Sequence, residues 1–312
     1  MNDSNAKLDI VSLGEPMYEF TQIPGREREY LQGFGGDTMN CVIAAARQGA
    51  RTGYITRLGD DEFGRQFLQL WDAEGVDRTA VTIDPNAHTA VYFISHGHDG
   101  HVFSYLRKGS AASRMQPEHL PVEMIRNARY FHASGISQAI SESACETVMA
   151  AVRVAHESGV RFVYDANIRL RLWPAAHARS MVEQTLAYAD DFLLSAEDAE
   201  VLCGTSEANA VIDWCHKRGA KRVVFKRGRE GATASDGDAK FDVPSFKVAA
   251  VDATGAGDCF AGALMARLAA GDAFGPALRY ASAAAALTCT GYGAVIPLPR
   301  PDAVHALLEG RG

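Results

Sequence analysis

From about residue 122 onward the chain alternates short apolar runs with helix-patterned segments, and this rhythm restricts the possible folds more than any other feature. Residues 130–133, 160–164, 192–194 and 222–226 read as strands, and 141–156, 175–188, 196–202 and 207–217 read as helices between or beside them. Ser141 is placed to cap its helix, with Cys145, Val148, Val152 and Ala155 sharing one face. A hairpin at 232–243 turns at Asp236-Gly237, and helices are expected at 256–270 and 276–290. Strands alternating with helices imply a mostly parallel sheet covered on both faces.

The N-terminal part departs from this rhythm twice. A strand at 8–13 ends at Gly14, and a hairpin follows from 17–20 through Pro24-Gly25 to 26–32. After a helix at 38–48, a strand at 52–56 and a helix at 62–73, a second hairpin spans 89–107 and turns at His98-Asp99-Gly100. The two hairpins suggest a small β appendage. The 312 residues would allow about two domains. With no repeat, low-complexity stretch or long linker, the expectation is instead one α/β body over 1–312, with a lid inserted at about 15–35 and 89–108.

Lys and Arg number 31 against 38 Asp and Glu, a formal charge of −7, which disfavours nucleic acid or an anionic membrane as partner. The six cysteines are widely separated, without a C-x-x-C pair, and read as reduced thiols. The N-terminus lacks the basic and apolar regions of a signal peptide, so a cytoplasmic protein is expected.

Chemistry concentrates in two glycine-bearing segments. Asp252-Ala253-Thr254-Gly255-Ala256-Gly257-Asp258 opens a helical run. Glycines at a helix N-terminus expose backbone N–H groups at the positive end of the helix dipole, which makes an anion site. Asp258, in the first turn, is placed to accept a proton beside that anion; its plainer role is to stabilise the helix start. A dinucleotide fingerprint is excluded because Phe260 takes the last glycine position, and the Gly-Lys of a Walker loop is absent. The other segment is Gly33-Phe34-Gly35-Gly36-Asp37-Thr38-Met39-Asn40, where Gly36 permits close approach and Asp37 and Asn40 offer groups suited to sugar hydroxyls.

Taken together, Gly35-Gly36-Asp37-Thr38-Met39-Asn40 near one end and Asp252 to Asp258 near the other resemble the two signatures of the ribokinase-like, or PfkB, carbohydrate kinases. Arg57-Leu58-Gly59-Asp60-Asp61-Glu62-Phe63-Gly64 is similar to a further segment of that family, and the resemblance runs from about residue 8 to residue 300. It implies a three-layer αβα sandwich with a small β-sheet lid. It also implies that Asp258 is the base and that the amides of Gly255, Ala256 and Gly257 form an anion hole. ATP and Mg²⁺ are implied as partners, a monovalent cation is allowed, and pairing of copies through the lid is common in the family.

Tyr105-Leu106-Arg107-Lys108-Gly109-Ser110 and Asp165-Ala166-Asn167-Ile168-Arg169 look like the 2-keto-3-deoxygluconate kinases within that family. A sugar acid carries a carboxylate that Arg107 and Arg169 could bind, with Tyr92 and Tyr105 supplying hydroxyls from the lid. On the nucleotide side, Lys226-Arg227-Gly228-Arg229-Glu230-Gly231 resembles the family's ATP loop, and Asn167 is expected nearby. Ser195 and Asp198 stand where many relatives have N-x-x-E; this departure weakens Asp198 as an indirect metal residue. The expected reaction is ATP-dependent phosphorylation of the C6 hydroxyl of 2-keto-3-deoxygluconate. The alternatives are a kinase of a neutral sugar such as fructose or ribose, a NAD-dependent oxidoreductase and an inactive sugar-binding regulator. His96, His98 and His101 imitate a metal cluster but read as an exposed turn.

Overall fold

The computed structural model describes residues 7–23, 25, 26, 28–97 and 100–310. In chain order it contains β1 (Ile10–Leu13), β2 (Met17–Gln22), β3 (Tyr30–Gly35), α1 (Asp37–Arg47), β4 (Thr52–Gly59), α2 (Glu62–Glu74) and β5 (Val81–Asp84). Next come β6 (Ala90–Gly97), β7 (Gly100–Leu106), α3 (Val122–Arg126), β8 (Tyr130–Ser134), α4 (Gly135–Ala139), α5 (Glu142–Glu157), β9 (Arg161–Asp165), α6 (Ala175–Leu186) and β10 (Asp191–Ser195). The chain continues with α7 (Ala196–Cys203), α8 (Ala208–His216), β11 (Arg222–Lys226), β12 (Ala232–Ser235), β13 (Lys240–Val243), α9 (Ala256–Ala269), α10 (Phe274–Thr288) and α11 (Pro301–Leu308).

The large sheet has the order β13-β12-β11-β10-β9-β8-β1-β4-β5, parallel from β11 to β5, with β12 and β13 antiparallel at one edge. The apolar strand sequences follow from coverage on both faces. Ile10, Tyr130, Val163, Leu193 and Val224 point into one core, with α1, α2, α9 and α10. Their neighbours Val11, Phe131, Phe162, Phe192 and Phe225 point into the other, with α5, α6 and α8. This is the ribokinase-like α/β architecture expected from the sequence. Strand order reverses at β1, which has β4 on one side and β8 on the other. The carboxyl ends of β1, β8 and β9 therefore meet beside a topological switch point, where open α/β sheets bind ligands.

The two hairpins form a separate four-stranded sheet, β3-β2-β6-β7, joined through a parallel β2–β6 pair. The first hairpin's return strand is Tyr30–Gly35, later than the expected 26–32. One face of this sheet packs on α2: Tyr18 lies 4.8 Å from Phe63 and Phe34 lies 5.3 Å from Phe67, ring centroid to centroid. On the other face Glu19, Tyr92 and Tyr105 share one register row. Leu31, Val102 and Leu106 stay exposed on the sheet. Among the described residues no helix is long and apolar enough to cross a membrane. His98 and Asp99, the tip of the histidine turn, lie outside the described residues, as do the His96 and His101 side chains.

Gly36 is the joint between the small sheet and α1. Its φ of 115° lies in a region that side chains disfavour, and a Cβ there would come within 2.5 Å of the Glu15 carbonyl oxygen. Gly36→Ala is expected to lower unfolding free energy by about 1–3 kcal/mol, measured by urea denaturation.

Candidate active site

Asp258 sits in the first turn of α9, two residues after the helical start at Ala256. Gly255 precedes it with φ 74°, a left-handed conformation that turns the chain into the helix. The N–H of Ala256 donates to the Ala253 carbonyl at 3.2 Å. Among the described residues the N–H groups of Gly255 and Gly257 have no backbone acceptor, so the anion-binding capacity rests on them rather than on all three amides. The Lys226 ammonium borders this turn, 3.5 Å from where a Cβ on Gly257 would lie.

A second helix approaches from the opposite side. Asn40, in the first turn of α1, donates its Nδ2–H to Asp258 Oδ2 at 2.8 Å. Asp37, at the start of α1, accepts from Asn167 Nδ2 at 2.7 Å. Asn167 takes φ 35°, the only non-glycine residue at positive φ among those described, at the exit of β9. A cavity joins these groups: it is lined by Asp37, Cys41, His132, Ser134, Asp165, Asn167, Asp258 and Ala261. Burial, and after it the charges of Asp37 and Asp165, push the Asp258 carboxyl up to about 7, against the Asn40 hydrogen bond and Lys226. A carboxylate with this affinity for protons is a competent base near neutral pH.

Lys226, at the end of β11, pairs with Asp165 at the end of β9 across 2.6 Å. Asp165 Oδ1 is buried without a partner. Burial opposes the Lys226 charge, but Asp165 holds its pKa above the ordinary lysine range. His132, on β8, bonds Ser12 through Nδ1 at 2.9 Å while its buried Nε2 has no partner, and burial lowers its pKa to about 4, so it is neutral at pH 7.

The other expected residues fall into place with different neighbours. Arg107 is not a free guanidinium: its Nε donates to buried Glu15 at 2.9 Å, and Ser110 Oγ donates to the same carboxylate at 2.5 Å. The Tyr92 hydroxyl donates to Glu19, a buried acid whose pKa burial raises. Tyr105 stacks on Tyr92 at 5.9 Å and stays partly exposed. Arg169 is exposed and donates to the Ile168 carbonyl at 3.0 Å; among the described residues it has no carboxylate partner. Asp198 is 3% exposed, and both its oxygens accept backbone N–H groups, from Ile168 and Ser195, each at 2.8 Å. With the Ser195 hydroxyl it closes a capping box on α7, so its direct work is to hold the Asn167–Ile168 bend. Gly228 and Gly231 shape the turn between β11 and β12, and a Cβ on Gly231 would run into the Val243 carbonyl.

Three acids were not singled out from sequence: Glu15, Glu19 and Asp165, the last of them lining the cavity; His132, read from sequence as a core or pocket-wall residue, lines it too. Asp165 had a readable signal, a carboxylate at the carboxyl end of an apolar parallel strand. Glu15, after Gly14 at the end of β1, had the same one. Glu19 sits in a strand pattern that gives no sign of what its face meets.

Residues 7–301 match the pfkB family of carbohydrate kinases. The chain belongs to that family. Among curated PfkB relatives, 2-dehydro-3-deoxygluconokinase of Thermoproteus tenax is 34% identical, over 98% of this chain and 96% of that one. Probable fructokinase-4 of Arabidopsis thaliana is 32% identical, over 96% and 97%. Among solved PfkB structures, a putative ribokinase II from E. coli in complex with ATP and Mg²⁺ superposes with a TM-score of 0.90 at 26% identity, covering 97% of this chain and 99% of that one. The fructokinase of Vibrio cholerae, bound to fructose, ADP and calcium, gives 0.87 at 26% identity, covering 96% and 99%. This PfkB chain is accordingly a sugar kinase.

The Asp258 carboxyl has a folded-state pKa above its ordinary value of 3.8, so its ionisation lowers stability as pH rises from about 4 to about 7. Asp258→Asn removes that charge. The variant is expected to melt above the wild type at pH 8, with the gain vanishing near pH 4, in thermal denaturation followed across pH.

Proposed function

We propose that this kinase transfers the γ-phosphoryl group of ATP to the C6 hydroxyl of 2-keto-3-deoxygluconate. The observation that carries the sugar-acid reading is Arg169, an exposed guanidinium two residues along the chain from the cavity-lining Asn167, with no carboxylate partner among the described residues. A substrate carboxylate completes that pairing with charge-assisted hydrogen bonds. The relative from Thermoproteus tenax supports the same reading.

In this account the sugar lies between Gly36, Asp37 and Asn40 on one side and the small sheet on the other, which acts as its lid. Asp258 accepts the C6 hydroxyl proton as the oxygen attacks the γ-phosphorus. The new O–P bond forms, the bond to the β-phosphate oxygen breaks, and ADP leaves. The N–H groups of Gly255 and Gly257 face the charge on the transferred group, a contribution of about 10²–10³ in rate for such a donor. Lys226 adds a cation at the same turn, with Gly228, Gly231 and Ser195 around the nucleotide. Mg²⁺ suits the donor set: Asp165 offers a buried oxygen without a partner, and a carboxylate with phosphate oxygens is what this ion takes. When bound it offsets phosphate charge. Among the described residues no cluster of three or more ligating side chains forms an all-protein cage.

A neutral sugar such as fructose is the second reading, favoured by the Arg107–Glu15 pair, which uses up one of the two arginines, and by the buried acid Glu19 on the lid. An ADP-release assay over 2-keto-3-deoxygluconate, fructose and ribose decides between them. Turnover of the keto acid is expected to exceed that of the neutral sugars; the reverse order overturns the sugar-acid reading. Arg169→Ala is expected to raise KM for the acid by about tenfold or more while leaving KM for ATP within about twofold. Arg107→Ala is expected to cost stability as well, because it strands the buried Glu15 charge.

A further inference from the structure

We infer that Arg47, at the far end of α1 from the cleft, is a positioning residue for the amide turn that faces the transferred phosphoryl group. The inference rests on reading Gly255 and Gly257 as that amide site. Arg47 is the last residue of α1, with its side chain 12% exposed. Its Nε and Nη2 hold the Glu74 carboxylate, Nη2 at 2.6 Å. Its Nη1 donates to the carbonyls of Leu298 at 2.7 Å, Val295 at 2.9 Å and Ile296 at 3.4 Å. Gln48 extends the clamp: its Nε2 donates to the Pro299 carbonyl at 2.7 Å while its Oε1 accepts from the Tyr280 hydroxyl at 2.7 Å.

The segment held in this way reaches the anion turn. Gly293 N–H donates to Asp252 Oδ2 at 2.9 Å, and Asp252 Oδ1 accepts from the Thr254 N–H at 2.9 Å and its hydroxyl at 2.7 Å. Ala294 lies against Gly255, its carbonyl oxygen 3.0 Å from where a Cβ would be. Gly255 thus adopts φ 74° on a floor made by the chain that Arg47 pins. The opposite end of the same helix presents Asn40 to Asp258. One rigid helix therefore places the proton acceptor from its N-terminus and supports the amide turn from its C-terminus.

Arginine suits this post for a geometric reason. A planar guanidinium engages a carboxylate on one edge and carbonyls on another at once, and a helix C-terminus favours a cation. Lysine keeps the charge but gathers its donors at one point, so it serves Glu74 or the carbonyls and not both. Arg47→Lys retains a cation beside the half-buried Glu74, which Arg300 also approaches at 3.8 Å, so this charge is not stranded and a folded variant is favoured.

The test uses the full chain and MgADP, with and without aluminium fluoride as a mimic of the transferring phosphoryl group, in the presence of the sugar turned over best. Wild type is expected to bind MgADP more tightly with aluminium fluoride than without. Arg47→Lys is expected to lose kcat by about tenfold or more and to lose mimic affinity by a similar factor. MgADP affinity and both KM values should stay within about twofold of wild type. Glu74→Gln should shift kcat and mimic affinity in the same direction by less, and it decides the matter if Arg47→Lys does not fold. Unchanged kcat and mimic affinity in the folded variant overturn the inference, as does a loss confined to KM or to MgADP affinity. A wild type that gains nothing from aluminium fluoride overturns the amide reading, and the positioning role with it.

Discussion

The hydrogen bond from Asn40 to Asp258 joins two helices whose N-termini would otherwise be separate features of a 312-residue chain. Around it, α1 carries Asp37 and Asn40 and α9 carries the amide turn. Both helices lie on the same face of the sheet, and both start where β1, β8 and β9 end. The carboxylate they enclose is expensive to ionise. Burial and the neighbouring charges of Asp37 and Asp165 raise its proton affinity, and only Asn40 and Lys226 oppose them. The structure accepts a cost in stability at neutral pH and holds there a carboxylate whose proton affinity is near that pH.

Charge is handled locally throughout the cleft. A sugar kinase with a formal charge of −7 gains nothing from its overall field in attracting the phosphates of a nucleotide. Its cleft cations are nonetheless mostly paired: Lys226 with Asp165, and Arg107 with Glu15. Such pairs hold the cations in place before a ligand arrives. An incoming anion then shares cations already oriented by the protein, the condition under which electrostatic stabilisation costs least reorganisation.

Much of this was legible from residue order. The strand–helix rhythm carried the parallel sheet, and turn signals at Pro24-Gly25 and Asp99-Gly100 carried the two hairpins. The edge strand β5 was missed because it is only four residues long, with Thr82 and Ile83 consecutively exposed and no apolar run or alternation to announce it. The short helices α3 and α4, of five residues each, and the eight-residue terminal α11 are too brief for an apolar stripe to repeat over several turns. The site divided along the same line. Asp37, Asn40 and Asp258 were readable because glycines and helix starts announce them. The partners of Arg107, Tyr92 and Asp198 were not, since Glu15, Glu19 and the Ile168 amide reach them through tertiary contacts that no local pattern encodes. The resemblance to the PfkB signatures supplied the pairing of the two ends of the chain, which spacing alone does not give.

In the proposed reaction Asp258 acts as the base, with its proton affinity set by burial and trimmed by Asn40. The pH dependence of kcat/KM for wild type and Asn40→Ala tests it most directly. Wild type should gain activity with rising pH through a single ionisation near 7. Because the Asn40 hydrogen bond lowers the Asp258 pKa, its removal should move that limb to higher pH. A profile that is flat between about pH 5 and 9, or a limb that stays in place in the variant, would contradict the account.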